Sequence, residues 1–151
     1  MRKSPIPFYA VALVVLAIDQ ITKYYVKCHI GPLDVVHVAP FFNIVYAENT
    51  GSAFGMFKSL GSLFFIVVSI SAAIALSVMI AKDPDNGIPY SLLLGGATGN
   101  LLDRLLRGYV IDFLDVFAGM NHWPAFNVAD SALTIGIILL LCKAARTERH
   151  D

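Results

Sequence analysis

Asp112 and Asp130 are the residues whose chemistry has to be explained first. They lie 18 positions apart in a chain that is 57% hydrophobic and only 15% charged. One helix cannot join them, but a chain reversal between them would bring both carboxylates to one place. Two close carboxylates cannot both ionise cheaply: one pKa rises and the pair shares a proton. Such a pair can hydrolyse an amide, the ionised member taking a proton from water while the protonated member polarises the carbonyl. Intramembrane carboxylates serve proton or ion pathways equally well, so spacing alone leaves both chemistries open.

Other polar groups interrupt the apolar sequence. Asp19 and Lys23 have the i, i+4 spacing, acid first, of a helical ion pair. Asn100 and Asp103 share a helix face with Gly96, and Arg104 follows Asn100 by four. Plain interhelical glue would account for these groups as well as a site would. Asp115 and Glu48 read as solvated carboxylates, and His29, His37 and His122 as scattered interfacial or exposed histidines. Cys28 and Cys142 are the only cysteines. They read as unpaired small apolar residues near opposite membrane faces.

The elements that must position these residues are apolar spans. The chain has 151 residues, a net charge of zero and a mean hydropathy of +0.69. That excludes a disordered chain, and the lack of a basic excess argues against a nucleic-acid partner. A helical span needs about 20 residues, and the sequence supplies four, at about 7–27, 59–81, 89–106 and 127–144. The first follows Met1-Arg2-Lys3 like a signal peptide, but no small-x-small cleavage site follows it. The third carries a Gly95-x-x-x-Gly99 spacing that lets helices approach closely. Between spans, residues 28–58 contain β-branched and aromatic runs at 35–38 and 41–46, split by Pro40, which predict short strands. Residues 107–126 hold another such run and a Trp123-Pro124 turn. Both segments fall on one side of a four-span bundle. With both termini inside, six Lys and Arg residues lie on the inner side and five on the other. The inner ones cluster at the termini, which favours cytoplasmic termini. Asp19, Lys23, Asp103, Arg104 and Asp130 then all gather near the outer interface.

Five motifs carry a family resemblance. They are Asp19-Gln20-x-Thr22-Lys23, Asn49-Thr50-Gly51-Ser52-Ala53-Phe54-Gly55, the run from Gly95 to Arg104, Val110-Ile111-Asp112-Phe113, and Phe126-Asn127-Val128-Ala129-Asp130-Ser131. In this order, from about Asp19 to Ser131, they resemble the bacterial lipoprotein signal peptidases, the signal peptidase II family. The resemblance implies a single membrane domain over 1–151. Its fold would be a four-transmembrane-helix bundle with a small extracytoplasmic β-cradle and a periplasmic loop or helix, built from 28–58 and 107–126. It also implies an inner-membrane aspartic endopeptidase that cuts a prolipoprotein before its diacylglyceryl-modified cysteine, without metal or cofactor, in contact with membrane lipids and as a monomer. Asp112 and Asp130 fall at the catalytic positions. Asp19, Lys23, Asn49, Gly96, Asn100, Asp103, Arg104, Asn127 and Ala129 fall at other positions of the active-site region. Ser52 stands where alanine is common and both termini are short; neither departure touches the dyad. The physical rivals are an ion- or proton-coupled transporter, which would be expected to show a repeat or polar groups near mid-bilayer, and a membrane scaffold subunit that uses its polar residues only for packing.

Overall fold

The computed structural model describes residues 4–51 and 61–147. Among these, the chain order is α1 (Ile6–His29), β1 (Val35–Ala39), β2 (Phe42–Asn49), α2 (Gly61–Lys82), a 3-10 turn (Pro84–Asn86), α3 (Gly87–Arg107), β3 (Val110–Ala118), β4 (Asn121–His122) and α4 (Val128–Thr147). The four helices are the four apolar stretches read from the sequence. Residues 59 and 60 of the second stretch, and 52–58 of the first outer segment, lie outside the described residues. So do Arg2, Lys3, Lys58 and Arg149, four of the charges counted for orientation.

Ile6–His29, Leu63–Lys82 and Val128–Arg146 are long and apolar enough to cross a membrane. α3 is different in kind: α1, α2 and α4 pack around it, and 12 of its 21 residues are buried. A helix buried over so much of its surface by its neighbours can carry glycines and polar side chains there, while its Ile88, Leu105 and Leu106 stay exposed. Its glycines set how close the neighbours come. A Cβ on Gly95 would lie 2.7 Å from the Ala12 carbonyl oxygen of α1, and one on Gly96 would lie 2.5 Å from the Ala129 carbonyl oxygen of α4. A Cβ on Gly99 would reach Asp19 Oδ2 at 2.7 Å. On α4, Gly136 in turn leaves room for Leu93.

The strands stand at the end of the bundle where α1 and α3 finish and α4 begins, in the antiparallel order β1-β2-β3-β4. The expected strands at 35–38 and 41–46 are β1 and β2. Gly108, with φ of 80°, closes α3, its N–H donating to the Arg104 carbonyl, so β3 starts two residues after the helix and Asp112 follows at once. The return from β3 is a two-residue turn at Gly119 and Met120, with Gly119 at φ 61°. The chain then runs back along β3, where Phe126 and Leu114 exchange backbone hydrogen bonds before α4 starts. Among the described residues of 107–126 this outer segment is strand and turn.

One irregularity decides which way the strands face. β2 pairs with β3 through Asn43↔Asp115 and Ile44↔Leu114, then through Ala47↔Asp112, so Val45 and Tyr46 together oppose the single residue Phe113. This bulge shifts the parity of β2. Asp112 and Asp115, three apart on β3, face opposite sides of the sheet, and the bulge gives each an asparagine partner on its own side: Asn49 for Asp112 and Asn43 for Asp115.

Gly96→Ala is expected to lower thermal stability in detergent by about 1–3 kcal/mol, because the new methyl meets backbone that cannot yield. Unfolding monitored by circular dichroism checks this, and an unchanged midpoint would show that the α3–α4 approach is not tight.

Candidate active site

α4 begins on a reciprocal cap. Asn127 Oδ1 accepts from the Asp130 N–H at 2.9 Å, and Asp130 Oδ2 accepts from the Asn127 N–H at 3.3 Å, the capping-box arrangement. The cap leaves the Asn127 amide group free to reach the sheet, where its Nδ2 donates to Asp112 Oδ1 at 2.7 Å. A single asparagine therefore holds both aspartates, one through its side-chain amide and the other through its backbone and Oδ1. Asp112 Oδ2 accepts from Asn49 Nδ2 at 3.0 Å, and Asp130 Oδ1 accepts from Asn100 Nδ2 at 2.7 Å. Asp112 is only 3% exposed. Burial and the charge of Asp130 push its carboxyl up to about 6, against the Asn49 and Asn127 hydrogen bonds and the Lys23 charge, which pull it down.

Behind these carboxylates lies a buried ammonium. Lys23 is fully buried, and its Nζ meets Asp19 Oδ2 at 2.8 Å, Asp103 Oδ2 at 2.9 Å and Asn100 Oδ1 at 2.9 Å. The ion pair expected between Asp19 and Lys23 is present, as one side of this larger cluster. Asp19 Oδ1 accepts the Ala129 N–H of α4 at 2.9 Å, a carboxylate at a helix N-terminus. Ala129 itself is fully buried against Gly96 and Gly99, so a larger side chain has no space there. Asp103 accepts the Ile111 N–H of β3 at 3.3 Å and pairs with Arg107. Arg104 lies 5.2 Å from the Phe65 ring centroid, with a buried Nε that has no hydrogen-bond partner among the described residues.

The sequence-selected residues thus fall into one polar body at one end of the bundle. Asp112, Asp130, Asn49, Asn100 and Asn127 form its front; Asp19, Lys23 and Asp103 form its base; Gly96 and Ala129 give the base room; Arg104 stands at its side. Of the Asn49–Gly55 motif, residues 52–55, including Ser52, lie outside the described residues. Gln20 was not selected. Its Nε2 lies 3.1 Å from Asp19 Oδ2, 3.2 Å from the Gly99 carbonyl and 3.2 Å from Asp103 Oδ1, and its place inside the first motif was the available signal. Asp115 corrects an expectation. It is 8% exposed and accepts from Asn43 at 2.8 Å and His122 at 2.8 Å, because the bulge in β2 brings Asn43 across from it. His122 and His37 are exposed as expected, but they are not scattered: both join this row, His37 Nδ1 donating to Asn43 Oδ1 at 2.9 Å. Glu48 is exposed as expected, its Oε1 accepting from the Tyr46 hydroxyl at 2.7 Å, and Cys28 and Cys142 are free and exposed.

Fold and site together define a class: a membrane-type helical protein with a small antiparallel sheet and paired aspartates between the two. Comparison with known proteins makes the class specific. Residues 11–146 match the family model described as signal peptidase (SPase) II. A lipoprotein signal peptidase of Thermodesulfovibrio yellowstonii is 54% identical over 129 residues, covering 85% of this chain and 88% of that protein. One from Syntrophus aciditrophicus is 43% identical over 159 aligned positions, 99% of each chain. A solved bacterial membrane enzyme superposes with a TM-score of 0.87 at 35% identity, covering 96% of this chain and 91% of that one. The chain belongs to the signal peptidase II family, aspartic peptidases that remove signal peptides from prolipoproteins.

Lys23→Met would leave Asp19 and Asp103 buried without their shared cation. It is expected to cost about 3–5 kcal/mol of stability, as breaking a buried pair does. Thermal unfolding checks it, and Lys23→Met combined with Asp103→Asn should recover part of the loss.

Proposed function

We propose that the chain is one integral inner-membrane domain, 1–151. In this reading it cleaves diacylglyceryl-modified prolipoproteins immediately before the lipidated cysteine, using water activated between Asp112 and Asp130. The observation that carries this reading is the joint hold of Asn127 on both aspartates, which keeps two carboxylates together in buried surroundings. The ionised member takes a proton as the water oxygen attacks the scissile carbonyl carbon. The protonated member gives its proton to the carbonyl oxygen, forming a neutral tetrahedral intermediate. The amine then takes a proton and leaves as the C–N bond breaks, so no acyl-enzyme, metal or cofactor is needed. Asn49, Asn100 and Asn127 orient the carboxylates by hydrogen bonds without adding charge. Asp19, Lys23, Asp103, Gly96 and Ala129 hold α1, α3, α4 and the start of β3 together behind them, and Arg104, whose Nε has no hydrogen-bond partner among the described residues, is placed to meet a peptide carbonyl or the outer loop.

A groove of about 490 Å³ lined by Trp123, Phe126, Asp130, Ser131, Thr134 and Ile135 opens beside α4. In this reading the substrate reaches Asp130 along it, from the bilayer. Support for α3 as a fourth span comes from its 21 residues, about 32 Å of helix, and from its place among three apolar helices. Cytoplasmic termini put the sheet and the dyad at the outer face, where water is available and the lipidated cysteine of a translocated substrate resides. The proposed unit is a monomer surrounded by membrane lipids, since one chain carries both aspartates. Carboxylates also serve proton pathways; membership of the signal peptidase II family is what favours hydrolysis over a transporter or a scaffold subunit.

Asp112→Asn and Asp130→Asn are each expected to lower cleavage of a diacylglyceryl-modified prolipoprotein by about 10²–10⁴-fold while retaining the wild-type circular dichroism spectrum. Cleavage by either folded variant at the wild-type rate would remove that aspartate from the chemistry. A second measurement uses pH. The reaction needs one proton on the pair, and Asp112 is raised to about 6, so kcat/KM is expected to fall as pH rises through that value and the shared proton is lost. A profile that climbs through the same interval would contradict the dyad mechanism.

A further inference from the structure

The hydrogen-bonded row on the far side of the sheet lies outside the catalytic cluster, yet it ends beside the groove. It crosses four strands. His37 of β1 donates to Asn43 of β2, Asn43 Nδ2 donates to Asp115 of β3 at 2.8 Å, and the Nδ1–H of His122 of β4 donates to both Asp115 oxygens at 2.8 and 3.1 Å. Because a carboxylate only accepts, the His122 proton on this side is fixed on Nδ1. The His122 ring also stacks on Phe117, with centroids 4.8 Å apart and planes 17° from parallel. Burial pushes Asp115 up, but the His122 and Asn43 hydrogen bonds and the His122 charge outweigh it and hold the carboxyl below its usual range. β4 is only two residues long; backbone bonds at Trp123 and Phe126 continue the return along β3, and the side-chain pairing adds a clamp where that return begins. The next residue is Trp123, whose N–H donates to the Val116 carbonyl at 2.8 Å. Trp123 is 68% exposed and walls the groove that contains Asp130.

We propose that His122 and Asp115 are positioning residues for the substrate groove: their pairing across β3 and β4 sets the place of Trp123, which bounds the path to Asp130. The inference rests on the groove being the substrate path. Its occupant is the apolar part of the lipidated substrate, because the walls are aromatic and aliphatic and the polar groups present are Asp130 and the hydroxyls of Ser131 and Thr134.

Trp123 is the only tryptophan in the chain, so intrinsic tryptophan fluorescence of the purified protein reports this residue alone. His122→Ala and Asp115→Asn are expected to raise acrylamide quenching and lower the anisotropy of Trp123, and to raise KM for a lipidated peptide about three- to tenfold with kcat within about twofold, the pattern of lost binding rather than lost chemistry. His122→Gln, whose amide can still donate to Asp115, should restore most of both effects. His122→Ala added to Trp123→Ala should cost little beyond Trp123→Ala alone, since the two act through one element. Unchanged Trp123 quenching and anisotropy in His122→Ala would overturn the clasp. Altered fluorescence with unchanged KM would overturn its role in substrate positioning. A purely structural role would lower kcat and thermal stability together, and the glutamine variant separates the two if the alanine variant fails to fold. If the wild-type chain cleaves no lipidated substrate, the functional reading fails, and the fluorescence still decides whether the clasp exists.

Discussion

A single buried ammonium organises this molecule. Lys23 has no access to water, and a charge removed from water is tolerated only where ion pairs and hydrogen bonds replace hydration. Its three N–H donors meet three acceptors, Asp19, Asp103 and Asn100. Each acceptor then passes the constraint on: Asp19 holds the first turn of α4, Asp103 holds the start of β3, and Asn100 holds Asp130. One side chain of α1 is thereby connected to every element that presents a candidate-site group, apart from β2. The geometry of the aspartates depends on that charge, although neither accepts a hydrogen bond from it.

The front of the site follows a different rule from the base. At the base, opposite charges pair and neutralise one another. Around Asp112 and Asp130 the partners are asparagine amides and a backbone N–H, which direct the carboxylates while leaving them without a full countercharge. An adjacent cation would hold both carboxylates ionised, leaving no proton for the proposed mechanism. Lys23 acts on Asp112 through space, tempering the effect of burial. Close helix packing makes this arrangement possible. Gly96 and Gly99 with Ala129 bring α3 and α4 near enough for short side chains, asparagine and aspartate, to bridge them.

Much of this was legible in the sequence, and the parts that were not have a common cause. Apolar runs of span length fixed the helices to within a few residues, and the i, i+4 spacing of Asp19 and Lys23 announced their ion pair. The motif order brought Asn49, Asn100, Asn127 and the two aspartates into one list. Asp115 was misread because its environment depends on strand parity. The bulge at Val45 and Tyr46 has no distinctive residue to mark it, and without it Asn43 and Asn49 would face the same side. His122 was passed over for a related reason: its role comes from a diagonal neighbour across a turn, which spacing along the chain does not display. Gln20 lies inside a motif but carries no charge, so the cost of burying an ion does not mark it.

The bond between Asn49 and Asp112 joins residues 63 positions apart, and the bond from Asn100 to Asp130 forms only once α4 has closed on α3. The piece 112–130 holds both aspartates and Asn127, but two of the asparagines that orient them come from earlier in the chain. On the proposed mechanism, a partly inserted polypeptide, with α1 and the first strands in place and α4 still to come, lacks Asp130 and carries no hydrolytic capacity. Competence arrives with the last helix, so the topology itself serves as the safeguard that other proteases obtain from a removable propeptide.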